Sequence, residues 1–194
     1  MHASIKERPI LFNAQMVRAI LDGRKTQTRR IVTNQPCDVK RVFMRNRMAY
    51  VENEHGVEVH LEACKFGQPG ERLWVRETWR KLNEKLLYRA DYSATHAANN
   101  GGVKWKPSIH MPRLASRILL EITGVRVERL QDIREEDAKA EGVATQDYPT
   151  KTYKNWADGM HRLLYKELWA RINGPGSWDA NPWVWVIEFK VVKS

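Results

Sequence analysis

The segment 183–192 constrains this chain more than any other. Residues 183, 185, 187, 189 and 191 are Trp, Trp, Ile, Phe and Val. Apolar residues at every second position predict a β-strand with one fully apolar face. Such a face needs a hydrophobic layer against it, so the rest of the chain must build a sheet-centred core. It offers many short strands to do so. Arg8–Phe12 reads as a strand, as does Arg24–Val32. Arg47–Val51 and Val57–Leu61 flank Asn53-Glu54-His55-Gly56, a hairpin turn with glycine at its corner. The turn Gln68-Pro69-Gly70-Glu71 leads into Arg72–Arg76, and Leu86–Ala90 is a further short strand. Arg117–Thr123 continues through Gly124, read as a bulge, into Val125–Leu130.

Helices are few. Met16, Val17, Ile20 and Leu21 recur at helical spacing between Asn13, which suits an N-cap, and Gly23, which suits the residue after the C-cap. Asp132 with Glu135 three residues on predicts a second helix, ended by Gly142. Trp156, Met160, Leu163, Leu164, Leu168, Trp169 and Ile172 form the stripe of a third, stopped by Gly174-Pro175-Gly176. The stretch from His96 to Pro112, punctuated by Asn, Gly and Pro, reads as a surface excursion. Many short strands with few helices between them predict an α+β protein built on a small β-barrel with helices outside.

The 194 residues suit a single domain, and 42% hydrophobic with 29% charged residues argues against wholesale disorder. No apolar run reaches the ~18 residues of a membrane helix. No secretory leader pattern opens the sequence, and two cysteines, Cys37 and Cys64, cannot make a multi-bridge framework, so a cytoplasmic location is expected. The net charge of +10 is unevenly spread. Nine bases stand against two acids from Arg18 to Arg47, whereas six acids stand against three bases from Glu128 to Glu141. A basic pole suits a nucleic acid or nucleotide partner. Arg29, Arg41 and Arg45 belong to that pole, and Lys104-Trp105-Lys106 could stack a base and hold its phosphate. The alternative for Trp105 is a ring that pins a loop to the body.

Several chemistries find no motif. The six histidines show no paired spacing on a helix face, and neither cysteine has a CxxC partner, so no metal or other cofactor is expected. There is no glycine-rich phosphate loop and no GxSxG elbow. The most informative stretch is Gly23-Arg24-Lys25-Thr26-Gln27-Thr28-Arg29-Arg30, four cations and two hydroxyls at a helix-to-strand corner. A lysine whose pKa is lowered by burial or by neighbouring cations can activate a hydroxyl. A basic strand edge is the plainer reading of the same residues.

Gly23-x-Lys25-x-x-Thr28-x-Arg30 after an amphipathic helix resembles the GxKxxTxR signature of ASCH domains, β-barrel modules related to the RNA-binding PUA domains. Pro69–Val75 resembles that family's turn and following barrel strand. The 130–142 segment resembles the helix that carries a glutamate in small bacterial members, and Trp185–Phe189 their closing strand. The resemblance implies a PUA-like, ASCH-type β-barrel spanning 1–194, with flanking helices and insertions around 33–68 and 80–112, similar to long versions in phage and prophage. It further implies a hydrolase of a modified nucleoside, most concretely an N4-acetylcytidine amidohydrolase, with Lys25, Thr28 and Glu141 as catalytic residues. Arg30 would hold substrate or stabilise developing charge. Arg24, Trp79, His110 and Arg113 are further candidates for substrate contact. A PUA-like module that binds RNA or DNA without catalysis, or a nuclease, would use the same pocket. In a regular strand Lys25 and Thr28 would point to opposite faces, so catalysis requires Lys25 to sit in the turn before pleating begins.

Overall fold

The computed structural model describes residues 4–37, 39–46, 48–61, 63–92, 104–144 and 160–192. Strand β1 (Glu7–Leu11) leads into helix α1 (Ala14–Leu21). Asn13 caps α1 by accepting the Met16 amide at 2.9 Å, as its position predicts. Strand β2 (Gln27–Ile31) follows, then β3 (Val39–Arg45), β4 (Met48–Asn53) and β5 (Glu58–His60). Strand β6 (Arg72–Arg76) precedes a hairpin of β7 (Trp79–Leu82) and β8 (Lys85–Tyr88). The long β9 (Leu119–Arg129), α2 (Glu135–Ala140), α3 (Met160–Asn173) and β10 (Trp183–Val191) complete the fold.

The main sheet has the order β1-β6-β9-β10-β2. Only β1 and β6 are parallel; the other pairs are antiparallel. The mixed α+β class is therefore as expected, but among the described residues no ladder joins β1 to β2 and the sheet does not close into a barrel. A side chain crosses between the two edges instead. The Arg30 guanidinium donates to the Leu11 carbonyl at 2.7 Å and lies 5.3 Å from the centre of the Phe12 ring. The segments expected as insertions contribute small sheets of their own, β3-β4-β5 and β7-β8.

Strand β10 explains the layering. Trp183, Trp185, Ile187 and Phe189 face one apolar cluster with Ile10, Val17, Ile20, Leu73, Val75, Leu120 and Ile122. Val184 and Val186 face a second cluster, with Leu130, Leu164, Tyr165, Leu168, Trp169 and Trp178. The strand is buried on both faces, where its alternation alone predicts one. Gly124 does mark a bulge: the β9–β10 register slips between Glu188 and Phe189, and a Cβ at Gly124 would lie 2.5 Å from Glu188 Oε2.

Three local expectations are corrected. Asp132 ends a 3-10 turn, Leu130–Asp132, and Arg134 precedes α2 instead. Glu135 caps a different helix, accepting the His161 and Arg162 amides of α3 at 2.6 and 3.1 Å. The strand expected at Leu86–Ala90 ends at Tyr88, where a 3-10 turn, Arg89–Asp91, takes over. Trp156 and the 96–103 part of the excursion lie outside the described residues.

Candidate active site

The corner between α1 and β2 is shaped by its glycine. Gly23 has φ +73°, and the turn lets the Arg24 and Lys25 amides both donate to the Ala19 carbonyl, at 2.8 and 2.9 Å. Lys25 then makes an isolated antiparallel bridge with Glu141, and the Thr26 amide donates to Ala140 O at 2.9 Å. Regular pleating begins only at Gln27. Lys25 thus sits in the turn, as the catalytic reading requires, on the residue that follows α2. Gly142 permits this approach. It has φ +83°, and a Cβ there would meet Lys25 Cβ at 2.7 Å and Ala19 Cβ at 2.9 Å.

Lys25 is buried, 1% exposed, and its Nζ donates to Glu141 Oε2 at 2.7 Å and to the Glu141 carbonyl at 2.9 Å. Burial lowers the Lys25 pKa below its ordinary 10.5; Glu141 opposes the shift, while the Arg30 and Arg29 guanidiniums add to it. The other Glu141 carboxylate oxygen accepts from Arg29 Nη1 at 3.1 Å. Arg29 also pairs with Glu128 at 2.5 Å and approaches Asp137 at 3.8 Å. Arg126 extends the network by binding Glu128 at 3.0 Å, Asp137 at 3.2 Å and the Glu188 carboxylate. Gln27 donates to the Asp137 carbonyl at 2.8 Å. Charged groups this deeply placed need partners, and these find them in one another.

Beside the pair lies a cavity of about 480 Å³. Thr28, Arg29, Arg30 and Glu141 line one side. Leu11, Phe12, Asn13 and Met16 come from the β1–α1 junction, and Tyr165, Leu168, Trp169, Ile172 and Asn173 from α3. Lys65, Phe66, Thr78 and Ser108 complete the wall. Lys25 stands behind Glu141, with its Nζ 5.5 Å from the centre of the Phe12 ring. Among the described residues no hydrogen bond joins Lys25 to Thr28; the Lys25 ammonium donates to Glu141 instead. Arg30 lies between Phe12 and Phe66, 5.3 and 5.8 Å from their ring centres, and its buried Nε lacks a hydrogen-bond partner. Burial lowers the pKa of Arg30 and drives the Tyr165 hydroxyl well above the ordinary tyrosine range.

The other sequence candidates scatter. Arg24 binds the Gly142 carbonyl at 2.8 Å and Asp22 at 3.1 Å, bracing the corner from outside the cavity. Trp79 is buried with Met111 and Ala115, under the Lys106 ammonium 5.2 Å from its ring centre. His110 is exposed on the 3-10 turn Ser108–His110, of which Ser108 reaches the cavity. Arg113 pairs with Glu7 at 2.8 Å. Arg29, placed by sequence in a surface cluster, is 4% exposed and neutralised by acids. Arg41 pairs with Glu52 at 2.5 Å and Arg45 with Glu58 at 2.7 Å, both near the Phe43 ring. Lys104 is exposed, and Trp105 packs edge-on to Tyr92 at 5.6 Å. Sequence reasoning missed Asn13, Phe66, Tyr165 and Trp169 as cavity residues. The helical stripe marks Trp169 as apolar, but not which cavity it borders. Among the described residues no group of three His, Cys, Asp or Glu could hold a metal ion.

No protein-family model, curated protein or solved structure matches this chain.

Proposed function

We propose that the chain is an amidohydrolase of an acylated nucleoside, with N4-acetylcytidine as its concrete substrate. The observation that carries this reading is the buried Lys25–Glu141 pair against a cavity lined by Thr28 and by aromatic rings. A cavity of about 480 Å³ is within the range for a small-molecule site. Phe12, Phe66, Tyr165 and Trp169 supply ring surface for a base, while Thr28, Arg30 and Glu141 supply polar groups.

The chemistry balances with these groups. The Thr28 hydroxyl attacks the acetyl carbonyl carbon, and its proton passes to Lys25, whose lowered pKa makes the free amine accessible. The negative oxygen of the tetrahedral intermediate is met by the Arg30 guanidinium, which has an unpaired buried Nε. The C–N bond then breaks, and Glu141 relays the proton from Lys25 to the departing exocyclic nitrogen. Water hydrolyses the acetyl-threonine ester, releasing acetate and restoring the hydroxyl. With Thr28 not bonded to Lys25, substrate binding must bring them together, and catalytic contacts commonly tighten only then. On this reading the five-stranded sheet is an opened ASCH-type, PUA-like barrel, acting in the cytoplasm of a bacterium or a phage-infected cell.

The test is incubation with N4-acetylcytidine and a panel of other acylated and alkylated nucleosides, followed by mass spectrometry. Cytidine and acetate in equal amounts, absent with Thr28→Ala, support the proposal. Unchanged nucleosides across the panel reject it in favour of a pocket that only reads a base.

A further inference from the structure

We infer that the outer face of the β3-β4-β5 sheet is a stacking platform for single-stranded nucleic acid, separate from the cavity. Register brings three rings into a row across the strands. Phe43 pairs with Tyr50, and Tyr50 with His60. The ring centres are 5.8 Å apart for Phe43 and Tyr50 and 5.4 Å apart for Tyr50 and His60. Alternation fixes the two faces. Val42, Met44, Ala49 and Val51 point into the apolar core, so the ring row faces outward on a backed, two-sided sheet. From β3, the Arg41 and Arg45 guanidiniums lie over the Phe43 ring, each 5.1 Å from its centre, and Arg45 is also 5.4 Å from the centre of the Tyr50 ring.

Rings in a row with cations beside them match the chemistry of an unpaired strand, whose bases offer π-faces and whose backbone offers phosphates. Charge favours this occupant. On and beside this face Lys40, Arg41 and Arg45 outnumber Glu52 and Glu58, in a chain of net charge +10. Those ion pairs are half exposed on the basic side, so a phosphate can replace a carboxylate at little cost. Duplex cannot use the row, because its bases are already stacked.

The test is fluorescence anisotropy of labelled dodecamers, oligo-U and oligo-dT, with a duplex of equal length and heparin as comparisons. The full chain should bind both single strands, more weakly as salt rises. Phe43→Leu and Tyr50→Leu keep the apolar volume and should each weaken single-strand binding about 5- to 150-fold. Arg41→Glu with Arg45→Glu should weaken all polyanions. Photocrosslinking of iodouracil-substituted strands should map to Tyr50 or Phe43. Equal binding of heparin and oligo-U, insensitive to both ring substitutions, overturns the platform and leaves a simple polyanion patch. No binding at low salt also overturns it. Circular dichroism of each variant checks folding. Because none of these residues lines the cavity, nucleoside hydrolysis and strand binding can fail independently.

Discussion

At the scale of single residues, Lys25 and Thr28 separate stability from chemistry. A lysine at a corner suggests a position that tolerates truncation. Burial and the 2.7 Å pair with Glu141 argue otherwise. Lys25→Ala should lower stability by about 3–5 kcal/mol, the usual result of removing one partner of a buried pair, and this is measurable by urea titration. Thr28→Ala should cost about 1 kcal/mol or less while removing turnover, because its hydroxyl makes no side-chain hydrogen bond among the described residues. Full turnover in Thr28→Ala would remove the nucleophile. The lowered Lys25 pKa also gives a signed pH dependence. In the folded state Lys25 loses its proton first, so the unfolded chain binds more protons between that value and 10.5, and this group's contribution makes stability rise with pH across that window. The rate should rise on a limb below pH 10.5 as the free amine forms. A rate that falls over that limb would show that the protonated lysine is the active form.

At the scale of elements, the fit of α2 against the α1–β2 corner rests on Gly142. Gly142→Ala should lower stability by about 2–4 kcal/mol, from a positive φ and a Cβ 2.7 Å from that of Lys25. A thermal melt reads this, and an unchanged midpoint would mean that the two elements can part without loss. The corner was legible in sequence because its determinants are local: an Asn cap, an apolar spacing of three and four, and a glycine. Lys25 and Glu141 meet across 116 positions, a pairing suggested by the resemblance and by no local pattern. The cavity's far wall was not legible. Tyr165 and Trp169 become wall residues only because α3 packs over β10, and helical spacing cannot say against what a stripe packs. Arg29 failed for a similar reason. Its carboxylate partner Glu128 is 99 positions away, so a local charge count sees only the cation. Glu135 was misassigned because the local capping pattern competes with α3 amides 26 and 27 residues on.

At the scale of the whole molecule, both apolar layers meet on β10. Trp185 is 1% exposed in the layer it shares with Ile10 and Leu73. Trp185→Ala should cost about 3–5 kcal/mol, a large part of a typical total of 5–15, and leave a chain that melts early or broadly. A sharp melt at the original temperature would contradict the two-layer account. The sheet order carries a consequence for how the chain is made. Residues 183–191 are central in space, between β9 and β2, yet they are synthesised after every other described element. Until they emerge from the ribosome, β2 lacks a strand partner among the described residues, β9 has β6 alone among them at its side, and Val17, Leu120, Leu164 and Trp169 lack the strand that separates and covers them. Consolidation of both layers therefore waits for these residues. A nascent chain stalled before residue 183 should therefore expose apolar surface, and ordering should appear in one late step, which pulse proteolysis of stalled chains would read.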